Sequence, residues 1–171
     1  MMTLGCGAAQ PTPAPAPAPQ PTTPFASDLA FLRQNTEVVV LSDSSGAAQV
    51  VVAPEYQGRV MTSTTGGADA PSFGWIGRAT IAARQRQPHI NVFGGEDRFW
   101  LGPEGGQFAL YFKKGDPFDL DHWQVPDAID WGKWDVDTQS ANTVRFRKRT
   151  VVADCVSTSH LPQSIASGTC Q

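Results

Sequence analysis

Apolar and polar positions change rhythm several times along the chain, and each change marks an element. Residues 25–35, FASDLAFLRQN, place Leu29, Phe31 and Leu32 behind Ser27-Asp28, which predicts a short packing helix at the domain edge with Ser27-Asp28 as its N-cap. Residues 38–41 and 49–52 are β-branched runs separated by the turn-rich SDSSGAA, and the pair reads as a hairpin. Residues 55–64, EYQGRVMTST, continue as a strand in which Gly58-Arg59 marks a bend or a close backbone approach. A Gly/Ala/Asp/Pro loop follows over 65–72. Residues 79–86 then predict a short helix whose Arg84 and Arg86 form a solvated face. Further on, 107–112 reads as a strand. In 143–153, TVRFRKRTVVA, Val144 and Phe146 alternate with Arg145 and Arg147, which predicts a strand with one wet face. Short apolar runs among 14 prolines and 16 glycines favour strands and turns over long helices, so the fold class expected is mainly β and antiparallel.

A chain of 171 residues has room for one domain with a core of its own. The expected division is a Pro/Ala-rich tether over 1–24, a domain over 25–153 and an irregular tail over 154–171. Alternating Pro-Ala favours extended polyproline II, because each proline fixes φ and removes a donor. Thr3-Leu4-Gly5-Cys6 resembles the end of a bacterial lipoprotein signal. On that reading Cys6 carries a lipid, the tether spaces the domain from a membrane, and the protein sits in the cell envelope, periplasmic or at the outer surface. A signal needs an apolar stretch that residues 1–5 do not supply. Either the reading frame opens further upstream, or the likeness is accidental and the segment is a disordered N-terminus. Cys155 and Cys170 form one disulfide if the chain is exported, or stay as two thiols in a loose tail.

Charge and cysteine spacing remove several functions. The net charge of −3 offers no basic footprint for nucleic acid. The three cysteines show no metal-ligand spacing. Asp116, Asp119 and Asp121 alternate with Phe118 and Leu120 but lack the glycine and glutamate register of a calcium loop, so neither a metal nor a cofactor is expected.

Candidate chemistry concentrates in residues 89–112, HINVFGGEDRFWLGPEGGQFALYF. Between the glycine pairs at 94–95 and 105–106 stand Glu96, Asp97, Arg98, Trp100 and Glu104. An indole beside fixed carboxylates and a guanidinium suits a sugar, whose C–H face stacks on a ring while its hydroxyls bridge charged groups. The same residues equally make an internal salt-bridged turn. Arg59 either projects into a cleft or forms a rim ion pair, and His89 is either a general acid or base or a structural histidine. Trp123, Trp131 and Trp134 are spaced too closely for all to be core, so some should wall a groove.

FASDLAFL at 25–32, VVAPEYQGRVMTST at 51–64, SFGWI at 72–76, HINVFGGEDRFWLGPEGGQF at 89–108 and FKKGDPFDLDHW at 112–123 carry a resemblance to an uncharacterised bacterial family. That family has the galactose mutarotase-like fold and is distantly similar to aldose 1-epimerases. The resemblance implies an antiparallel β-sandwich, the mutarotase-like supersandwich, with a sugar-binding cleft across one sheet. It also implies catalysis by a histidine acid and a glutamate base, without metal or organic cofactor. Family members look roughly twice as long as this chain, so the resemblance covers an N-terminal half, an incomplete sandwich, and puts the catalytic glutamate beyond Gln171. Arg59, His89, Glu96, Asp97, Arg98, Trp100, Glu104, His122 and Trp123 are the expected substrate-binding residues, with His89 the catalytic candidate. The functions left open are a carbohydrate-binding or carbohydrate-modifying protein for a small-molecule or oligosaccharide ligand, a non-catalytic envelope lipoprotein domain, and a fragment without activity of its own.

Overall fold

In the computed structural model, residues 23–106 and 108–150 are described. Their strands form two antiparallel sheets. Cys6, the 1–22 part of the tether, Cys155, Cys170 and the 154–171 tail lie outside the described residues.

Helix α1 spans Phe25–Asn35. Its cap is Pro24 rather than Ser27-Asp28, and no side chain caps it. The free N–H groups of its first turn are satisfied instead by the 65–72 loop, with Phe25 N–H donating to the Ala70 carbonyl at 2.9 Å and Ala26 N–H to that of Ala68 at 2.8 Å. Phe25 and Leu32 are fully buried, each contributing about 1.5–3 kcal/mol by area, and burying Phe25 requires the helix to begin before Ser27. Asp28, released from capping, is buried against Arg78 at 2.5 Å.

The predicted hairpin is present. Strand β1 (Val39–Ser42) pairs antiparallel with β2 (Gln49–Ala53) in the register Val39 to Val52. Within the turn, Asp43 accepts from Ser45 Oγ at 2.6 Å and from the Ala48 N–H at 3.2 Å. A 3-10 turn, Pro54–Tyr56, leads to β3 (Arg59–Thr64), which pairs with β2 through a bulge at Val51/Val52. The far edge of β3 is covered by the chain's own segments. Val60 N–H donates to the Asp97 carbonyl at 3.0 Å, Glu96 N–H to the Val60 carbonyl at 2.8 Å, and Phe73 N–H to the Ser63 carbonyl at 3.1 Å, so no long bare edge remains there.

Helix α2 spans Arg78–Ala83 and the one-turn α3 spans Asp127–Asp130. Strands β4 (Asp135–Gln139) and β5 (Val144–Arg147) form the second sheet. In β5 the arginines are exposed and Val144 and Phe146 half-buried, the wet-face alternation expected, and Phe146 packs where a Cβ on Gly58 would stand. The strand expected over 107–112 does not form, and 108–112 are irregular. Ala109 and Tyr111 are buried in a cluster with Val125, Ala128 and Ile129, so aromatic packing rather than ladder bonding holds this run. A separate cluster joins Phe25, Leu32, Val51, Met61, Ile81 and Phe93. Residues 89–112 therefore bridge two cores.

Gly95 sits at that bridge with φ +107°, and a Cβ there would stand 2.7 Å from the Val60 carbonyl oxygen and 2.9 Å from Arg59 Cδ. Gly95→Ala should lower the unfolding free energy by about 3 kcal/mol. Gly105, where a Cβ meets nothing within 4 Å, should tolerate alanine within about 0.5 kcal/mol. Urea denaturation midpoints of the two variants measure the contrast.

Candidate functional site

Two sites emerge from the 89–112 bridge, one buried and one open. In the buried one, Asp130 at the end of α3 accepts from both the backbone N–H and the Nδ2 of Asn91, each at 2.7 Å. Its second oxygen receives Arg98 Nη2 at 3.1 Å. Arg98 also donates to the Ile129 carbonyl at 2.5 Å and lies 4.4 Å from the centre of the Trp100 ring. Arg59 is only 4% exposed. It donates to the Gly94 carbonyl at 2.8 Å and lies 5.6 Å from the centre of the Phe93 ring, while its Nε and Nη2 find no acceptor among the described residues. Burial, and then the nearby Arg98 charge, lower its pKa to about 10, with Asp130 opposing. Neither guanidinium lines the open cleft.

The other expected site residues are spread around this network. Glu96 is exposed and accepts from Ser63 Oγ at 2.8 Å. Asp97 accepts the Arg98 backbone N–H at 2.8 Å. Trp100 Nε1 donates to Glu104 at 2.7 Å, and the Trp100 ring stacks on Tyr111, which stacks on Trp123, with centroids 5.3 and 5.7 Å apart. His89, half-buried with φ 64°, has Nδ1 2.6 Å from the Trp123 carbonyl. The same nitrogen lies 2.9 Å from Gln124 Nε2, so the Trp123 backbone and the Gln124 amide together orient the ring. His122 is exposed, with Nδ1 2.5 Å from Asp119, and the hydrogen bond to Asp119 raises its pKa. Among the described residues no group of three or more His, Cys, Asp or Glu is placed to hold a metal, and no helix is long and apolar enough to cross a membrane.

The open site is a cleft of about 430 Å³, assembled from segments far apart in sequence, and none of the expected substrate-binding residues lines it. Its wall is aromatic. Tyr56 stacks on Phe93 at 4.1 Å between centroids, and Phe93 on Trp131 at 6.3 Å. Burial raises the Tyr56 pKa. Around these rings stand Asn35 from the end of α1, Glu55 from the 3-10 turn, Arg84 and Gln85 after α2, and Lys133. Gln57, held left-handed at φ 62°, donates through Nε2 to the Gly132 carbonyl at 3.0 Å and so pins the Trp131–Lys133 segment to the turn that carries Tyr56. Of the closely spaced tryptophans, Trp131 is the groove wall. Trp123 belongs to the Tyr111 stack, and Trp134 donates to the Ala128 carbonyl at 3.1 Å. Arg84 and Arg86, expected on a solvated face, are both exposed; Arg84 borders the cleft and Arg86 pairs with Asp127. The tryptophan spacing was a sequence signal for Trp131. For Asp130, Tyr56 and Glu55 there was none, since each acquires its role from a partner distant in the chain.

Replacing Asp130 with alanine removes the countercharge of two guanidiniums and strands the Asn91 amide, and should cost about 3 kcal/mol of stability by urea denaturation. Asp119→Asn should return the His122 imidazole to its ordinary titration range. In the wild type the imidazolium persists to higher pH, and an NMR titration of the ring protons reads both.

Two comparisons return nothing: no curated protein and no solved structure matches the chain. A family match does appear, over residues 23–161, to a family of unknown function, DUF6786. That span takes in both sheets, the Asp130 network and every residue of the aromatic cleft, and the chain belongs to the DUF6786 family.

Proposed function

We propose that the Tyr56–Phe93–Trp131 cleft binds a sugar ring, and that the protein is a carbohydrate-binding or carbohydrate-modifying member of the mutarotase-like class. The observation that carries this is the union of a stacked aromatic wall with a polar rim around a cleft of about 430 Å³. Pyranose rings present an apolar C–H face and an equatorial belt of hydroxyls. The face matches Trp131, the half-buried ring of the wall, with the buried Phe93 and Tyr56 backing it, and the belt matches Asn35, Glu55 and Gln85, which offer both donors and acceptors. In this reading the two antiparallel sheets are part of a β-sandwich, and the cleft rather than the 94–106 loop holds the ligand.

Binding is the better-supported half of the proposal. Ring opening needs a paired acid and base, and the cleft lining supplies one carboxylate, Glu55, and no histidine. The rival reading, that charged residues such as these are internal struts, is favoured for Arg59 by its burial and for Arg98 by its ion pair with Asp130. It leaves the cleft unaccounted for.

Calorimetric titration with a panel of neutral and acidic monosaccharides and short oligosaccharides tests the proposal. At least one should bind, and Trp131→Ala should weaken it about tenfold through loss of ring stacking. Silence across the panel, or binding indifferent to Trp131, refutes it.

A further inference from the structure

The charges around the cleft are not equally free. Glu55 accepts from Thr36 Oγ1 at 2.7 Å, and Lys133 is paired with Glu37 at 2.5 Å. Two residues beyond Arg84, Arg86 is taken by Asp127. Arg84 alone among the charged residues of the lining makes no ion pair and no side-chain hydrogen bond to the described residues. Its charge nevertheless acts on the Tyr56 phenol, so guanidinium and aromatic wall share one environment.

The backbone at Arg84 adds a second, independent observation. Arg84 is the C-cap of α2 and is left-handed, with φ 51° and ψ 27°. Glycine or asparagine takes this position most easily, and any other side chain carries a strain of about 1–3 kcal/mol. Here the strained residue carries a guanidinium with no partner among the described residues, and it stands at the border of the cleft. Arg84 is exposed, as the sequence pattern expected, so its charge is open to a ligand there.

We infer that the cleft selects sugars bearing a carboxylate, a uronic acid or a uronate-terminated oligosaccharide, with Arg84 holding the acid group while the ring lies on Trp131. This rests on the carbohydrate reading of the cleft and specifies its ligand. A neutral hexose that covers the aromatic wall desolvates the guanidinium without replacing its water, whereas a carboxylate replaces that water with two parallel charge-assisted bonds in the fork geometry of arginine. One negative charge suits the site better than two. The Glu55 carboxylate shares the lining, so it can accept a sugar hydroxyl but repels the second charge of a phosphate ester.

Calorimetry with galacturonate and glucuronate, their parent hexoses and glucose 6-phosphate decides the matter on the full chain and on Arg84→Gln. In the wild type the uronates should bind about tenfold more tightly than galactose and glucose, and added salt should erode that advantage. In Arg84→Gln the ratio of uronate to hexose affinity should fall about tenfold, with an unchanged urea midpoint showing that the variant is folded. Equal affinity for uronates and hexoses overturns acid selection while leaving the sugar-binding proposal standing. Tighter binding of the phosphate ester than of either uronate overturns the choice of carboxylate. If no sugar binds at all, both proposals fall together.

Discussion

Asp130 is a buried carboxylate with three donors and two guanidiniums around it, and the arrangement of the middle of the chain follows from keeping it satisfied. Taking an ion from water into a protein interior costs several kcal/mol, and attraction to a partner offsets this only where hydrogen bonds fill the remaining positions. Asn91 supplies two such bonds and Arg98 a third. Arg59 is the less compensated member. It has the Gly94 carbonyl, the face of Phe93 and the field of Asp130, against full burial and a like charge nearby. The network is therefore specified tightly, because shifting any member exposes an uncompensated charge to an apolar surround.

That requirement reaches the cleft through the backbone. Asn91 is two residues from Phe93, and Asp130 directly precedes Trp131. The same contact that joins the 91–98 segment to α3 thereby sets two of the three aromatic walls. Tyr56, the third, is placed by the turn between β2 and β3, and the Gln57 bond to Gly132 ties that turn to the Trp131 segment. The two apolar clusters meet along this polar line, with Phe93 in one and Ile129 in the other. Trp131 and Phe93 are thus placed by the same polar contact, whereas Arg84 and Lys133 reach the rim from irregular segments outside it.

Local pattern carried a good deal of this. Residues 38–52 alternate and pause in ways that admit little besides a hairpin, and residues 25–35 admit little besides a helix, because the period of apolar positions reports which face is buried without reference to anything distant. The wet and dry faces of β5 were legible for the same reason. So was the close approach at Gly58, where a Cβ would stand 2.7 Å from the Phe146 ring. The 107–112 run was misleading, since its aromatic residues carry β-propensity but are held by stacking on Trp100 and Trp123, and propensity measures fit to a pleated surface that this segment never meets.

Composition and periodicity, then, were sufficient for which segments bury a face and for where the reactive side chains concentrate, since both are properties of neighbouring residues. They were silent on partnership. Arg98 and Asp130 lie 32 residues apart, and Gln57 and Gly132 lie 75 apart. Whether a charge is a strut or a contact depends on what arrives from such distances when the chain closes. Arg98 became a strut because α3 brought it a carboxylate. Arg84, left-handed at the end of α2, meets no acid among the described residues, while Arg86 two positions on meets Asp127.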